Sequence, residues 1–160
     1  MSIKLVYGYD FKDEIRTLFT EYTEYLIDND GKFKEYLEIQ KYDDEIEHLE
    51  SKYGLPYGRL YIAYYENKVA GCIAMRKLND AECEMKRLYV KPEFRNKGIA
   101  KRLVEKIISD AKEIGYSNML LDTLPFLQTA IKMYNKMGFY EIECYNNSPM
   151  DNTIYLKLDL

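Results

Sequence analysis

The feature that most restricts how this chain can fold is a strand that runs, across a short basic turn, into a strongly amphipathic helix. Residues Glu82 to Val90 read as a β-run closed by Lys91-Pro92. From Gly98 onward, Ile99, Ala100, Leu103, Val104, Ile107, Ile108, Ala111 and Ile114 recur at helical spacing. Gly115 then stands where a helix is stopped by a left-handed residue. A helix with one apolar stripe must bury it against another element, so the unit predicts a mixed α/β domain.

The rest of the chain supplies the partners. Ile3 to Val6 reads as a strand, and Phe11, Ile15, Leu18, Phe19, Tyr22 and Leu26 as a helix with Asp10 as its N-cap. A second helical stretch runs from about Phe33 to Lys52 and ends in the turn residues Gly54 to Gly58. Leu60–Tyr65 and Lys68–Met75 form a predicted hairpin around Glu66-Asn67. Met119–Thr123 reads as a strand, Pro125–Met137 as a helix ending at Gly138, and Phe139–Tyr145 and Thr153–Leu158 as two final strands. The predicted order is β, α, α, β, β, β, α, β, α, β, β: an α/β fold with a largely antiparallel central sheet flanked by helices. It is read as one domain over residues 1–160.

Composition excludes several classes. At 160 residues and 47% hydrophobic content the chain can bury a core without disulfides or metal. No apolar run approaches the roughly 20 residues of a membrane span, and Met1 to Phe11 lacks a signal-peptide pattern, so a cytoplasmic protein with no membrane partner is expected. Cys72, Cys83 and Cys144 are odd in number and scattered, and His48 is the only histidine; neither a disulfide framework nor a metal site is expected. Asp28-Asn29-Asp30-Gly31 resembles part of a calcium loop, but Leu26 stands where its first ligand belongs, so it reads as a turn.

Between strand and helix lies Arg95-Asn96-Lys97-Gly98-Ile99-Ala100, at a helix start whose free N–H groups can receive an anion. Residues 86–106 carry eight basic side chains against two acidic ones, in a chain of net charge −4. That local excess points to a phosphate-bearing ligand and away from nucleic acid, which needs a wide positive surface. The frame is neither a Walker loop nor a dinucleotide Gly-x-Gly-x-x-Gly. A solvated basic helix start would read the same way.

The run Leu88-Tyr89-Val90-Lys91-Pro92-Glu93-Phe94-Arg95-Asn96-Lys97-Gly98-Ile99-Ala100 resembles the acetyl-CoA-binding motif of the GNAT family of N-acetyltransferases. Ala130 to Phe139 is similar to that family's helix-to-strand segment with its tyrosine. The resemblance implies an acyl-CoA N-acyltransferase fold, with residues 59–160 as the cofactor-binding core and 1–58 as the variable substrate side. It implies acetyl-CoA as cosubstrate and direct attack, in a ternary complex, by a primary amine of a small molecule or peptide. A non-catalytic CoA-binding regulatory module of the same fold is the alternative, and a homodimer is left open.

By the same resemblance, main chain at Leu88, Tyr89 and Val90 runs beside the pantetheine arm. The N–H groups of Asn96, Lys97, Gly98, Ile99, Ala100 and Lys101 receive the pyrophosphate, with Arg95 beside them. Asn96 stands where the family often has glycine, which asparagine tolerates because it enters left-handed conformations. Tyr134 matches the tyrosine that can protonate the departing thiolate, a transfer that is uphill unless the site lowers its pKa from about 10. It also belongs to an apolar stripe with Leu127, Ala130, Ile131 and Met137. Glu84 and Asp122 match the two places where family members keep a base, and either can equally be an ordinary strand carboxylate, Glu84 pairing with Lys86. Leu127 stands where many relatives have an asparagine, with Gln128 as a conceivable substitute. Residues 10–53 hold 14 acidic and six basic side chains, which favours a cationic amine if they flank the acceptor.

Overall fold

A computed structural model of the chain describes residues 2–29, 45, 47–146 and 152–160. Its strands are β1 (Ile3–Tyr7), β2 (Arg59–Tyr65), β3 (Lys68–Lys77), β4 (Glu82–Val90), β5 (Asn118–Thr123), β6 (Tyr140–Ile142) and β7 (Ile154–Asp159). They form one sheet in the order β1-β2-β3-β4-β5-β7-β6, in which only β4 and β5 are parallel. Its helices are α1 (Lys12–Asn29), α2 (Leu49–Tyr53), α3 (Ile99–Ile114) and α4 (Gln128–Lys136), with a 3₁₀ turn at Pro92–Phe94.

The expected element order holds, and packing explains it. The α3 stripe of Ile99, Leu103, Val104, Ile107 and Ala111 is buried against one face of the sheet, among Met75, Met85, Met119 and Leu121. Each large aliphatic side chain so buried contributes about 1.5–3 kcal/mol. Gly115, at φ 106°, ends the helix. Ile15, Leu18 and Phe19 of α1, with Leu49 and Tyr53 of α2, cover the opposite face over Leu60, Ile62, Cys72 and Ala74. The β2–β3 turn is Glu66-Asn67, both at positive φ (48° and 66°), the geometry whose twist suits a two-residue hairpin.

Most boundaries fall within two residues of expectation, and two elements differ by more. The predicted helix Pro125–Met137 starts only at Gln128, after a turn in which Leu127 N–H donates to the Leu124 carbonyl. The strand predicted over Phe139–Tyr145 spans Tyr140–Ile142; Tyr145 and Asn146 leave the sheet to bond Glu84 and Asp122. Of the helix predicted from Phe33 to Lys52, residues 33–44 and 46 lie outside the described residues, and Leu49–Tyr53 is its described end.

Two irregularities in β4 shape the site. Cys72 pairs with Tyr89 but Ala74 with Lys86, so β4 carries one extra residue there, with Arg87 at φ 60°. This is a β-bulge, a device that re-aims a side chain. Second, β4 and β5 pair only at Glu82–Asn118, Cys83–Met119 and Glu84–Leu120. β4 stays paired with β3 to Val90 and β5 with β7 to Thr123, so the two parallel strands part beyond Glu84 and Leu120. No helix among the described residues is long and apolar enough to cross a membrane.

Candidate active site

The parting strands open a cavity of about 530 Å³ whose walls include Met85–Val90 of β4 and Leu121–Thr123 of β5. Tyr22 and Tyr25 of α1 close one side and Met133 and Tyr134 of α4 the other. An interior strand edge left unpaired over six residues is costly unless something bonds to it, because buried main-chain donors and acceptors need partners.

At one end of the cavity the chain turns into α3. Asn96 (φ 64°) and Gly98 (φ 79°) both adopt the left-handed conformation, as the asparagine-for-glycine reading required. Gly98 is the N-cap and offers no side chain to the helix start, where a serine or aspartate would contribute about 1 kcal/mol. The first helical bond runs from Arg102 N–H to the Gly98 carbonyl. Among the described residues, the N–H groups of residues 96–101 donate to no acceptor. Their positive ends and the helix dipole converge where an anion would sit. Arg95 stands beside them, its Nε donating to the Val90 carbonyl at 3.2 Å and its guanidinium 5.1 Å from the centre of the Tyr25 ring.

Of the ten residues assigned to the cofactor, nine line the cavity; the exception, Lys97, lies with its ammonium 5.2 Å from the Tyr65 ring centre. Tyr134 and Asp122 line it as well, and Glu84 does not.

Tyr134 is 5% exposed, and its ring packs on Phe139 at 5.5 Å. Its hydroxyl makes no hydrogen bond among the described residues. Burial pushes its pKa well above the usual tyrosine value, and the neighbouring Tyr22 and Asp122 push the same way. The site therefore does the reverse of lowering the phenol's pKa: Tyr134 stays protonated, as a hydrogen-bond donor facing the cavity.

Glu84 and Asp122 differ sharply. The buried Glu84 carboxylate accepts from Arg76 Nε at 2.7 Å and from the Tyr145 hydroxyl at 2.5 Å. Burial raises its pKa, but Lys86, the Tyr145 hydroxyl and Arg76 outweigh that, and the net direction is downward. Its pairing with Lys86 is the weak one, at 4.0 Å. Asp122 sits on the cavity wall and accepts from the Asn146 amide at 2.8 Å.

The bulge turns Arg87 onto the α1 and α2 face. There its guanidinium grips the Glu45 carboxylate at 2.7 and 3.1 Å, and Lys52 (2.6 Å) and the Tyr53 hydroxyl (2.9 Å) bind the same carboxylate. Burial would raise the Glu45 pKa, but Arg87 and Lys52 overcome it and hold it at about 2. Sequence periodicity found none of this cluster, nor Tyr22 and Tyr25, whose cavity-facing role is hidden within an ordinary helical stripe. Leu127 lines the cavity among Leu26, Leu124 and Phe126. The Gln128 amide, the conceivable substitute for the missing asparagine, donates to the Pro125 carbonyl.

Known proteins match this arrangement. The family model described as Acetyltransferase (GNAT) family matches residues 13–139. An uncharacterised N-acetyltransferase of Schizosaccharomyces pombe is 37% identical over 150 residues, covering 92% of this chain and 88% of its own. One of Dictyostelium discoideum is 34% identical, with the whole of both chains covered. In three dimensions the chain superimposes on the PaiA N-acetyltransferase of Thermoplasma acidophilum, solved in complex with coenzyme A, with a TM-score of 0.76 over the whole of both chains at 18% identity. With its parted β4 and β5, its open main-chain turn before α3 and its sequence relatives, the chain belongs to the GNAT family of N-acetyltransferases.

Proposed function

We propose that the protein binds acetyl-CoA in the cavity between β4 and β5 and transfers its acetyl group to a primary amine. One observation carries this reading: Asn96 and Gly98–Lys101, whose main-chain N–H groups donate to no acceptor among the described residues, line the same cavity as Tyr134, whose hydroxyl makes no hydrogen bond there. An amphipathic helix packed for stability alone needs neither. Residues 96–101 and Arg95 hold the diphosphate, and the free β4 edge at Leu88–Val90 pairs with the amides of the pantetheine arm as a further strand would. Acetyl-CoA held there supplies an acetyl thioester, whose acetyl group passes to nitrogen with release of the thiol.

The chain's own groups do the rest. Tyr134 donates its proton in a hydrogen bond to the sulphur position. Asp122 is the better placed of the two carboxylates to take the proton from the amine, since Glu84 is enclosed by Arg76 and Tyr145 away from the cavity. An amine of pKa near 10.4 is only about a thousandth neutral at pH 7, so such a base is worth having.

Release of free thiol from acetyl-CoA, measured over a panel of small amines and peptides, tests the reading. Turnover with at least one amine is expected. Stoichiometric binding of acetyl-CoA with no thiol release from any amine would replace it with a non-catalytic binding module.

A further inference from the structure

In the Glu45 and Glu84 clusters four cations meet two carboxylates, and Lys86 holds only the remoter share of one. On the α1 and α2 side of β4, the Glu45 carboxylate serves Arg87 and Lys52, and the Glu84 carboxylate serves Arg76. Lys86 has no carboxylate of its own. Its side chain is only 10% exposed, and among the described residues it donates no hydrogen bond and its single ion-pair partner is Glu84 at 4.0 Å, beyond hydrogen-bonding distance and already bound by Arg76 at 2.7 Å. An ammonium so enclosed, with only a shared carboxylate near it, is favourably matched by an anion brought to it in the cavity.

Lys86 lines the cavity, and its position excludes the diphosphate as that anion. Four residues of strand separate it from Val90, about 13 Å at roughly 3.3 Å per residue, with the anion-binding turn farther on still. Continuing the strand register places it on the same face as Asp122. The last β4–β5 pair is Glu84 with Leu120, and Lys86 and Asp122 each lie two residues beyond it, on the same face, across the opening.

We propose that the acceptor amine also carries a carboxylate, as an amino acid or an N-unsubstituted amino-acid conjugate does, and that Lys86 binds it while Asp122 receives the amine. This rests on the transfer reading above and narrows it. It also reverses the cationic acceptor expected from the acidic balance of residues 10–53. Part of that run lies outside the described residues, and Asp10, Asp13, Glu14 and Glu50 line a separate depression.

Pairs of amino acids and their amides, identical but for the carboxylate, test it with thiol release as readout. A neighbouring carboxylate keeps the amine more fully protonated, so amine chemistry alone favours the amide. The acid is expected to exceed the amide at least tenfold in kcat/KM, about the size of one charge-assisted hydrogen bond. Lys86→Gln brings that ratio close to one, chiefly through KM; Lys86→Arg preserves it and Lys86→Glu inverts it. Calorimetry gives a second readout without turnover: in the presence of coenzyme A, an N-acetylated amino acid binds more tightly than its amide, and Lys86→Gln removes the difference. Equal use of acids and amides by the unaltered protein, or an equal loss for both in Lys86→Gln, overturns the carboxylate proposal alone. Thiol release from no amine of either kind overturns the transfer reading and this one with it.

Discussion

The two halves of the cleft are built from different materials. The proposed cofactor side offers main chain: the β4 edge at Leu88–Val90, which β5 leaves uncovered, and the amides of residues 96–101, which donate to no acceptor among the described residues. The proposed acceptor side offers charged side chains, Lys86 and Asp122, backed by the Arg87–Glu45 and Arg76–Glu84 pairs. The cofactor side depends on φ angles and helix position, which tolerate many side chains. The acceptor side depends on which charges are paired, which one substitution can change. A common cofactor and a variable acceptor fit that division.

The comparison can be broken from either side, and the largest effect is expected on the acceptor side. Arg87→Met leaves the buried Glu45 carboxylate without its main partner and should cost about 3–5 kcal/mol in urea unfolding. Removing the carboxylate tests the same pair through pH. The Glu45 pKa is about 2 in the folded state against 4.5 for the group in the unfolded chain, so its stabilisation is complete above pH 4.5 and is lost as pH falls towards 2. Glu45→Gln should therefore cost on the order of 3 kcal/mol at pH 7, with the deficit closing between pH 4.5 and 2. A deficit independent of pH would mean that the ion pair is not its source.

Activity changes come next. Tyr134→Phe is expected to lower kcat about a hundredfold while coenzyme A affinity changes little, the mark of a group that acts only in the transition state. Asp122→Asn should lower kcat about 10- to 100-fold and Glu84→Gln no more than about threefold; the opposite ranking would return the base to β4. On the cofactor side the expected effect of Gly98→Ala is modest. A Cβ there meets nothing within 4 Å, so only the φ of 79° resists it, and coenzyme A should bind about five- to tenfold more weakly, roughly 1 kcal/mol.

What the sequence disclosed follows the same division. The strand, basic turn and helix from Glu82 to Gly115 were legible because local rules make them: alternation, a left-handed Asn96 and Gly98, a stripe ended by Gly115. The place of Tyr134 and Asp122 on the cavity came from the resemblance. The Glu45–Arg87 pair joins positions 42 residues apart and needs a bulge that no periodicity announces. Glu84 and Lys86, two residues apart on one strand face, do pair at 4.0 Å as expected, but Arg76 and Tyr145, which the fold brings nearer, bond the same carboxylate. Lys86 stands out only once its neighbours are seen to be taken.

The central claim, that main-chain amides before α3 hold a diphosphate, is tested most directly by calorimetry of the purified protein with coenzyme A and with pantetheine, which lacks the diphosphate. The account predicts one site for coenzyme A and binding of pantetheine at least about a hundredfold weaker, the worth of several charge-assisted hydrogen bonds. No heat with coenzyme A, or equal affinity for the two, would contradict it.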